Sequence, residues 1–125
     1  MRSPASVVRG NDGIIAATLA TMAEFPDRAL LGEDVIWCDV DPGSFLSSHR
    51  LLCTATHSGA GVYGAPTGKR LTYRILDDCF CQADQVADEW LVRDQAAIDA
   101  ILAQQCLPIE LNGGHVAQMA LFLAS

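Results

Sequence analysis

Residues 71 to 92 hold two stretches dense in β-branched, aromatic and aliphatic side chains, separated by the polar quartet Gln82-Ala83-Asp84-Gln85. This pattern predicts an antiparallel hairpin, with a long strand over 71 to 81 and its partner over 86 to 92. Side chains alternate across a strand, so the first strand sorts into two sets. One is Leu71, Tyr73, Ile75, Asp77, Cys79 and Cys81; the other is Thr72, Arg74, Leu76, Asp78 and Phe80. Both sets hold apolar residues, and a second apolar face predicts self-association through the sheet as a homodimer.

The rest of the chain arranges itself around this hairpin. Over residues 11 to 25, Ile14, Ile15, Thr18, Leu19, Met22 and Phe25 recur at helical spacing, Asn11 or Asp12 can cap the start, and Pro26 with Asp27 ends the helix. Residues 30 to 41 carry Val35, Ile36, Trp37 and Val40 and predict a strand, which turns at Asp41-Pro42-Gly43 into a second strand over 45 to 57. The Gly and Pro content of residues 58 to 68 predicts a loop. Asp94 can cap a helix from residue 95 to about 105 whose apolar stripe is Ala97, Ile98, Ile101 and Leu102, and residues 112 to 122 have the apolar density of one more short helix. A helix, then hairpin-linked strands, then helices is an α+β order, not the alternating order of a parallel sheet. With 125 residues and no repeat or low-complexity tract, a single domain is expected over residues 1 to 125.

Charge and composition exclude several functions. Fifteen acidic residues against eight Lys and Arg, with no basic stripe, argue against nucleic-acid binding, which needs clustered positive charge. No segment approaches the roughly 20 apolar residues that span a bilayer. Pro4, Arg9, Asn11 and Asp12 interrupt the N-terminal stretch before a signal-like apolar run can develop, so a cytoplasmic protein with no membrane partner is expected. The five cysteines, Cys38, Cys53, Cys79, Cys81 and Cys106, are read as reduced and mostly buried. Cys79 and Cys81 share a strand face, but a metal site would need two further ligands beside them, and none is expected.

Two stretches resemble a known family. Thr56-His57-Ser58-Gly59 leads through Pro66-Thr67-Gly68-Lys69 into a strand carrying Asp77, then a turn, then Trp90 four residues before Asp94. This order resembles the SnoaL-like polyketide cyclases of the NTF2-like superfamily, and Ala23-Glu24-Phe25-Pro26-Asp27 is similar to the end of that family's pre-sheet helix. The resemblance covers roughly residues 10 to 105 and implies a cone, a curved antiparallel sheet packed against helices around a pocket. The turn at residues 82 to 85 lacks the family's usual Asp-Gly. Family members also carry helices and a short strand ahead of the position of Gly10. The resemblance therefore implies a partly open cone, completed by the segment 106 to 125 or by a second chain.

The family closes a ring by an intramolecular aldol reaction on an aromatic polyketide ester, with a carboxylate as acid/base and no metal or organic cofactor. Removing a proton from carbon beside a carbonyl requires a desolvated carboxylate. The resemblance points to Asp94, with Trp90 and Val92 on its strand face, although a helix cap is a sufficient reason for an Asp there. Asp77 is the second candidate, because a carboxylate among apolar residues needs a partner or a pocket. His57 can donate to a substrate carbonyl or simply bond within its loop, and Tyr73 can line the site or belong to the core. Two functions stay open at this point. One is a cofactor-free cyclase or isomerase acting on a small apolar carbonyl compound; the other is a non-catalytic module that binds a small ligand or dimerises.

Overall fold

The computed structural model describes residues 1 to 4 and 6 to 104. Its elements run α1 (Gly10–Glu24), β1 (Ala29–Asp41), β2 (Ser44–Thr56), β3 (Arg70–Gln82), β4 (Gln85–Arg93) and α2 (Gln95–Ala103). The four strands form one antiparallel sheet in the order β1-β2-β3-β4, each joined to the next along the chain. This is the expected α+β architecture. The helix expected over residues 112 to 122, and Cys106, lie outside the described residues. Among the described residues no helix is long and apolar enough to cross a membrane.

Local chemistry explains the turns. Gly43, at φ +82°, lets β1 reverse into β2 within a two-residue turn. Ala83 and Asp84, at φ 51° and 60°, form the equivalent reversal between β3 and β4, a left-handed conformation that Asp tolerates and Ala adopts at a cost. α1 begins one residue earlier than its pattern suggests. Arg9 occupies the N-cap without a side-chain hydrogen bond, and Asp12 sits in the first turn, where its charge favours the helix dipole.

One face of the sheet is the core face. Cys53 and Ala55 of β2 and Leu71, Tyr73 and Ile75 of β3 are buried there, against Ile98 of α2 and Phe25 just after α1. α2 is held at both ends. The Asp94 carboxylate accepts from the Ala97 amide at 3.0 Å, and the Lys69 ammonium donates to the carbonyls of Leu102, at 2.9 Å, and Gln104.

α1 contributes much less to this core than its periodicity implies. Ile15, Leu19 and Met22 stay exposed, while Ile14, Ala17 and Thr21 are half-buried, and the helix is fixed to the sheet at its C-terminal end. β1 is exposed along its whole length, an edge strand reaching past the area that the helices cover. On the outer face Glu33, at a register shift in β1, takes a two-pronged contact from Arg74 at 2.9 and 3.1 Å and a third from Arg50 at 3.3 Å. The Arg74 guanidinium holds the Glu33 carboxyl below the usual glutamate range.

Candidate functional site

Several of the polar residues that carry the sequence resemblance, Glu24, Asp27, Thr56, His57 and Thr67, meet in one joint, where the end of α1 docks on the loop between β2 and β3. Glu24 and His57 are buried together, with Nε2 of His57 3.1 Å from Oε1 of Glu24. The same carboxylate accepts from the backbone amides of Tyr63 at 2.8 Å and Val62 at 3.1 Å. Nδ1 of His57 lies 3.0 Å from the Thr67 hydroxyl and accepts from the Thr67 amide at 3.3 Å. An amide can only donate, so Nδ1 keeps its lone pair and Nε2 carries the hydrogen given to Glu24. Phe25 and Tyr63 pack their rings against the imidazole. Asp27 completes the joint, accepting from the Thr56 amide at 2.7 Å and hydroxyl at 2.6 Å, bonds that hold its carboxyl below the ordinary aspartate range.

Chemistry of another kind gathers further along the core face. Beyond the buried block, towards the turn end of β3, the sheet walls an open cavity of about 850 Å³ lined by Asp77, Cys79 and Glu89, with Val7, Val8 and Ile14 opposite, interleaved with Arg2, Arg9 and Asn11. A shallower one of about 400 Å³ adjoins it and is lined by Val35, Trp37, Phe45 and His49, sharing Cys79 and Val86 with the first. Register explains the grouping. His49 is directly opposite Asp77 on the neighbouring strand, and Glu89 is directly opposite Cys79. Burial, then the Asp77 charge and a hydrogen bond between the two carboxyl groups, push the Glu89 carboxyl above the ordinary glutamate range. Burial, helped by Asp77 and Glu89, pushes the Cys79 thiol up to about 11, so it is a thiol and not a nucleophilic thiolate at neutral pH.

Neither the family models nor the curated proteins hold a match to this chain. Solved structures do match. A protein from Jannaschia sp. CCS1 assigned as a SnoaL-like polyketide cyclase superposes with a TM-score of 0.68, at 20% identity over 84% of this chain and 72% of that one. AclR from Streptomyces galilaeus, assigned as a hydroxylase, gives 0.67 at 21% identity, over 81% and 71% of the two chains. IdmH from Streptomyces antibioticus, assigned as a polyketide cyclase, gives 0.63 at 23% identity, over 77% and 66%. The chain has the SnoaL-like, NTF2-like fold.

Within that fold the residues singled out from sequence separate. Asp77 stands at the cavity wall, half-buried. Asp94 is exposed and caps α2, with Ala97 as its partner. His57 lies in the joint, both ring nitrogens engaged. Tyr73 is a core residue, 5% exposed, and its burial raises the phenol far above its ordinary range. Trp90 and Val92 pair with Asp78 and Leu76, so they stand on the outer face, away from the cavity.

The cause is a single extra residue. A regular hairpin closed at Gln82 and Gln85 would set Trp90 against Asp77, but the register shifts between Phe80 and Cys81. Beyond that bulge every side chain of β4 changes face. Glu89 comes inward and Trp90 goes out. Glu89 and His49 are the site residues that sequence reasoning misses; strand alternation places Cys79 on the face of Asp77 without giving it a role, and Glu89 requires knowledge of the bulge.

Glu89→Gln should make the protein slightly more stable at neutral pH. A carboxyl whose value is raised on folding contributes stability that is present at low pH and lost as pH rises through the raised value. The amide keeps the shape without that loss. Allowing for solvent screening, the gain is about 0.5 kcal/mol, or roughly one to two degrees in Tm. Thermal melts at neutral pH, repeated at falling pH, check this: the gap should narrow as Glu89 is protonated in both states.

Proposed function

We propose that this chain is a SnoaL-like acid/base enzyme that works without a cofactor on a small apolar carbonyl compound, with Asp77 as the base and Glu89 as its proton-sharing partner. The observation that carries this is a pair of neighbouring carboxyl groups, Asp77 and Glu89, on the wall of an 850 Å³ cavity, with Glu89 pushed upward by burial and by Asp77, and a facing wall that mixes Val7, Val8 and Ile14 with Arg2 and Arg9. Two carboxyl groups whose surroundings separate their proton affinities are the arrangement that lets one accept a proton while the other supplies one. Asp77 removes a proton from the carbon beside the substrate carbonyl. The enolate so formed closes on a second carbonyl of the same molecule, and the proton returns to the new alkoxide. Family membership, and a cytoplasmic setting in which the cysteines stay reduced, belong to the same proposal; Cys38, Cys53, Cys79 and Cys81 are all free thiols.

The test is exchange of the α-carbon hydrogen of a small aryl β-keto ester in deuterated buffer, followed by proton magnetic resonance with metal-free protein. Exchange well above the buffer rate is expected. A rate equal to buffer over a panel of such esters overturns the enzyme reading. The cavity is open on one side, which favours a second function, a ligand-binding module without turnover. Saturable binding of the ester with no exchange would select it.

The partner we infer is a second copy of the chain. Leu31, Ile36, Leu76, Trp90 and Val92 on the outer face are 40 to 67% exposed, an apolar surface that a two-fold pair would cover in self-complementary fashion. Sedimentation at micromolar concentration should give a dimer and Ile36→Lys a monomer. A wild-type monomer at that concentration would exclude this pairing.

A further inference from the structure

We propose that His49, Asp77 and Cys79 form a binding site for a divalent transition-metal ion of the zinc class. Ligand atoms of His49, Asp77 and Cys79 all lie within 4.8 Å of one another, with Sγ of Cys79 3.9 Å from Oδ1 of Asp77. Glu89, opposite Cys79 on the next strand, stands beside this trio on the cavity wall. Three protein donors with a fourth position left open to water are what an open tetrahedral zinc site uses.

The orientation of His49 is an independent sign. Its Nδ1 is 3.0 Å from the Asp77 backbone carbonyl, which can only accept, so Nδ1 carries the hydrogen and Nε2 keeps a free lone pair. A ligating imidazole is commonly oriented in this way, by a hydrogen bond from its other nitrogen to a carbonyl or carboxylate. The donors also sit on two paired strands, β2 and β3, and not on loops, so little ordering is left to complete on binding.

The donor set chooses the ion. A thiol and an imidazole beside one carboxylate suit zinc, cobalt or copper and disfavour magnesium and calcium, which prefer oxygen. On binding, the Cys79 thiol releases its proton to solvent. Cys81, the near neighbour in sequence, is not needed; the additional ligands are Asp77 on the same strand and His49 on the adjoining strand β2.

This site does not depend on the acid/base function, although an ion there would occupy Asp77 and stop proton transfer. The test is Co²⁺ added to the metal-free full-length protein, read by the thiolate-to-cobalt charge-transfer band, with Zn²⁺ displacement followed by calorimetry. One ion per chain is expected at micromolar concentration. Cys79→Ser should abolish the band, and His49→Ala should weaken binding at least tenfold, with each variant checked by its thermal melt. Cys38→Ser is the control and should bind as the wild type does. Absence of stoichiometric binding, loss of the band in Cys38→Ser with retention in Cys79→Ser, or unchanged affinity in His49→Ala would overturn the site. A protein that binds cobalt yet shows no α-carbon exchange when metal-free would leave this site standing and remove the enzyme reading.

Discussion

His57→Ala should cost about 3 kcal/mol of unfolding free energy, from the loss of a hydrogen bond to a buried carboxylate and the cavity that the ring leaves. The imidazole is fully buried and Glu24 is 3% exposed, so removing the ring leaves a carboxylate without its side-chain partner in a place that water does not reach. Two backbone amides, from Val62 and Tyr63, still satisfy part of the carboxylate, which keeps the loss from being larger. The aromatic packing of Phe25 and Tyr63 goes with the ring. Urea denaturation measures the effect. With a slope of about 1.5 kcal/mol per molar, the midpoint should fall by roughly 2 M.

Asp94→Ala makes the comparison, since an exposed N-cap is worth only about 1 kcal/mol. Equal losses at the two positions would mean that the Glu24–His57 joint does not hold α1. Gly59 belongs to the same argument. A Cβ there would overlap the backbone carbonyl of Ala23, while the Gly59 amide donates to the Glu24 carbonyl at 3.0 Å. The loop passes so close to the helix end that only glycine fits.

That joint explains why so much of the fold was legible in the sequence and so little of the site. Strand alternation, Asp41-Pro42-Gly43, the polar turn before Gln85 and the Asp94 cap each act locally, so the pattern placed β1 to β4 and α2 within a residue or two of where they lie. Of the residues that carry the family resemblance, Glu24, Asp27, Thr56, His57, Gly59, Thr67, Lys69 and Asp94 hold helices and loop to the sheet, while Asp77 stands at the cavity and Trp90 on the outer face. They identify an architecture. The cavity residues come from pairing across strands: His49 with Asp77 over a separation of 28 residues, and Cys79 with Glu89 across a bulge. Nothing near Glu89 in sequence announces which face it takes. One extra residue in β4 decides it, and that same residue turned Trp90 and Val92 outward. α1 shows the opposite error, a clear period whose Ile15, Leu19 and Met22 find little to pack against in a single copy of the described chain.

Asp77→Asn should lower turnover of a β-keto ester by 10² to 10⁴, the range for removing a general base, with little change in KM because the amide fills the same space. Stability should not fall with it. Asn in place of Asp takes a negative charge away from Glu89 and keeps the strand pairing with Leu91 and His49, so the folded state loses a repulsion and not a contact. A variant at least as stable as the wild type but nearly inactive is the signature of a group kept for chemistry, since natural sites commonly trade stability for function. Glu89→Gln should have a smaller effect on rate and a distinct one on pH dependence. It removes the carboxyl that burial and Asp77 push upward, so any limb of the profile due to its titration disappears. The double variant should be about as slow as Asp77→Asn alone, because two groups that share one proton do not act additively. If Asp77→Asn keeps more than a third of wild-type turnover, proton removal does not occur at this wall.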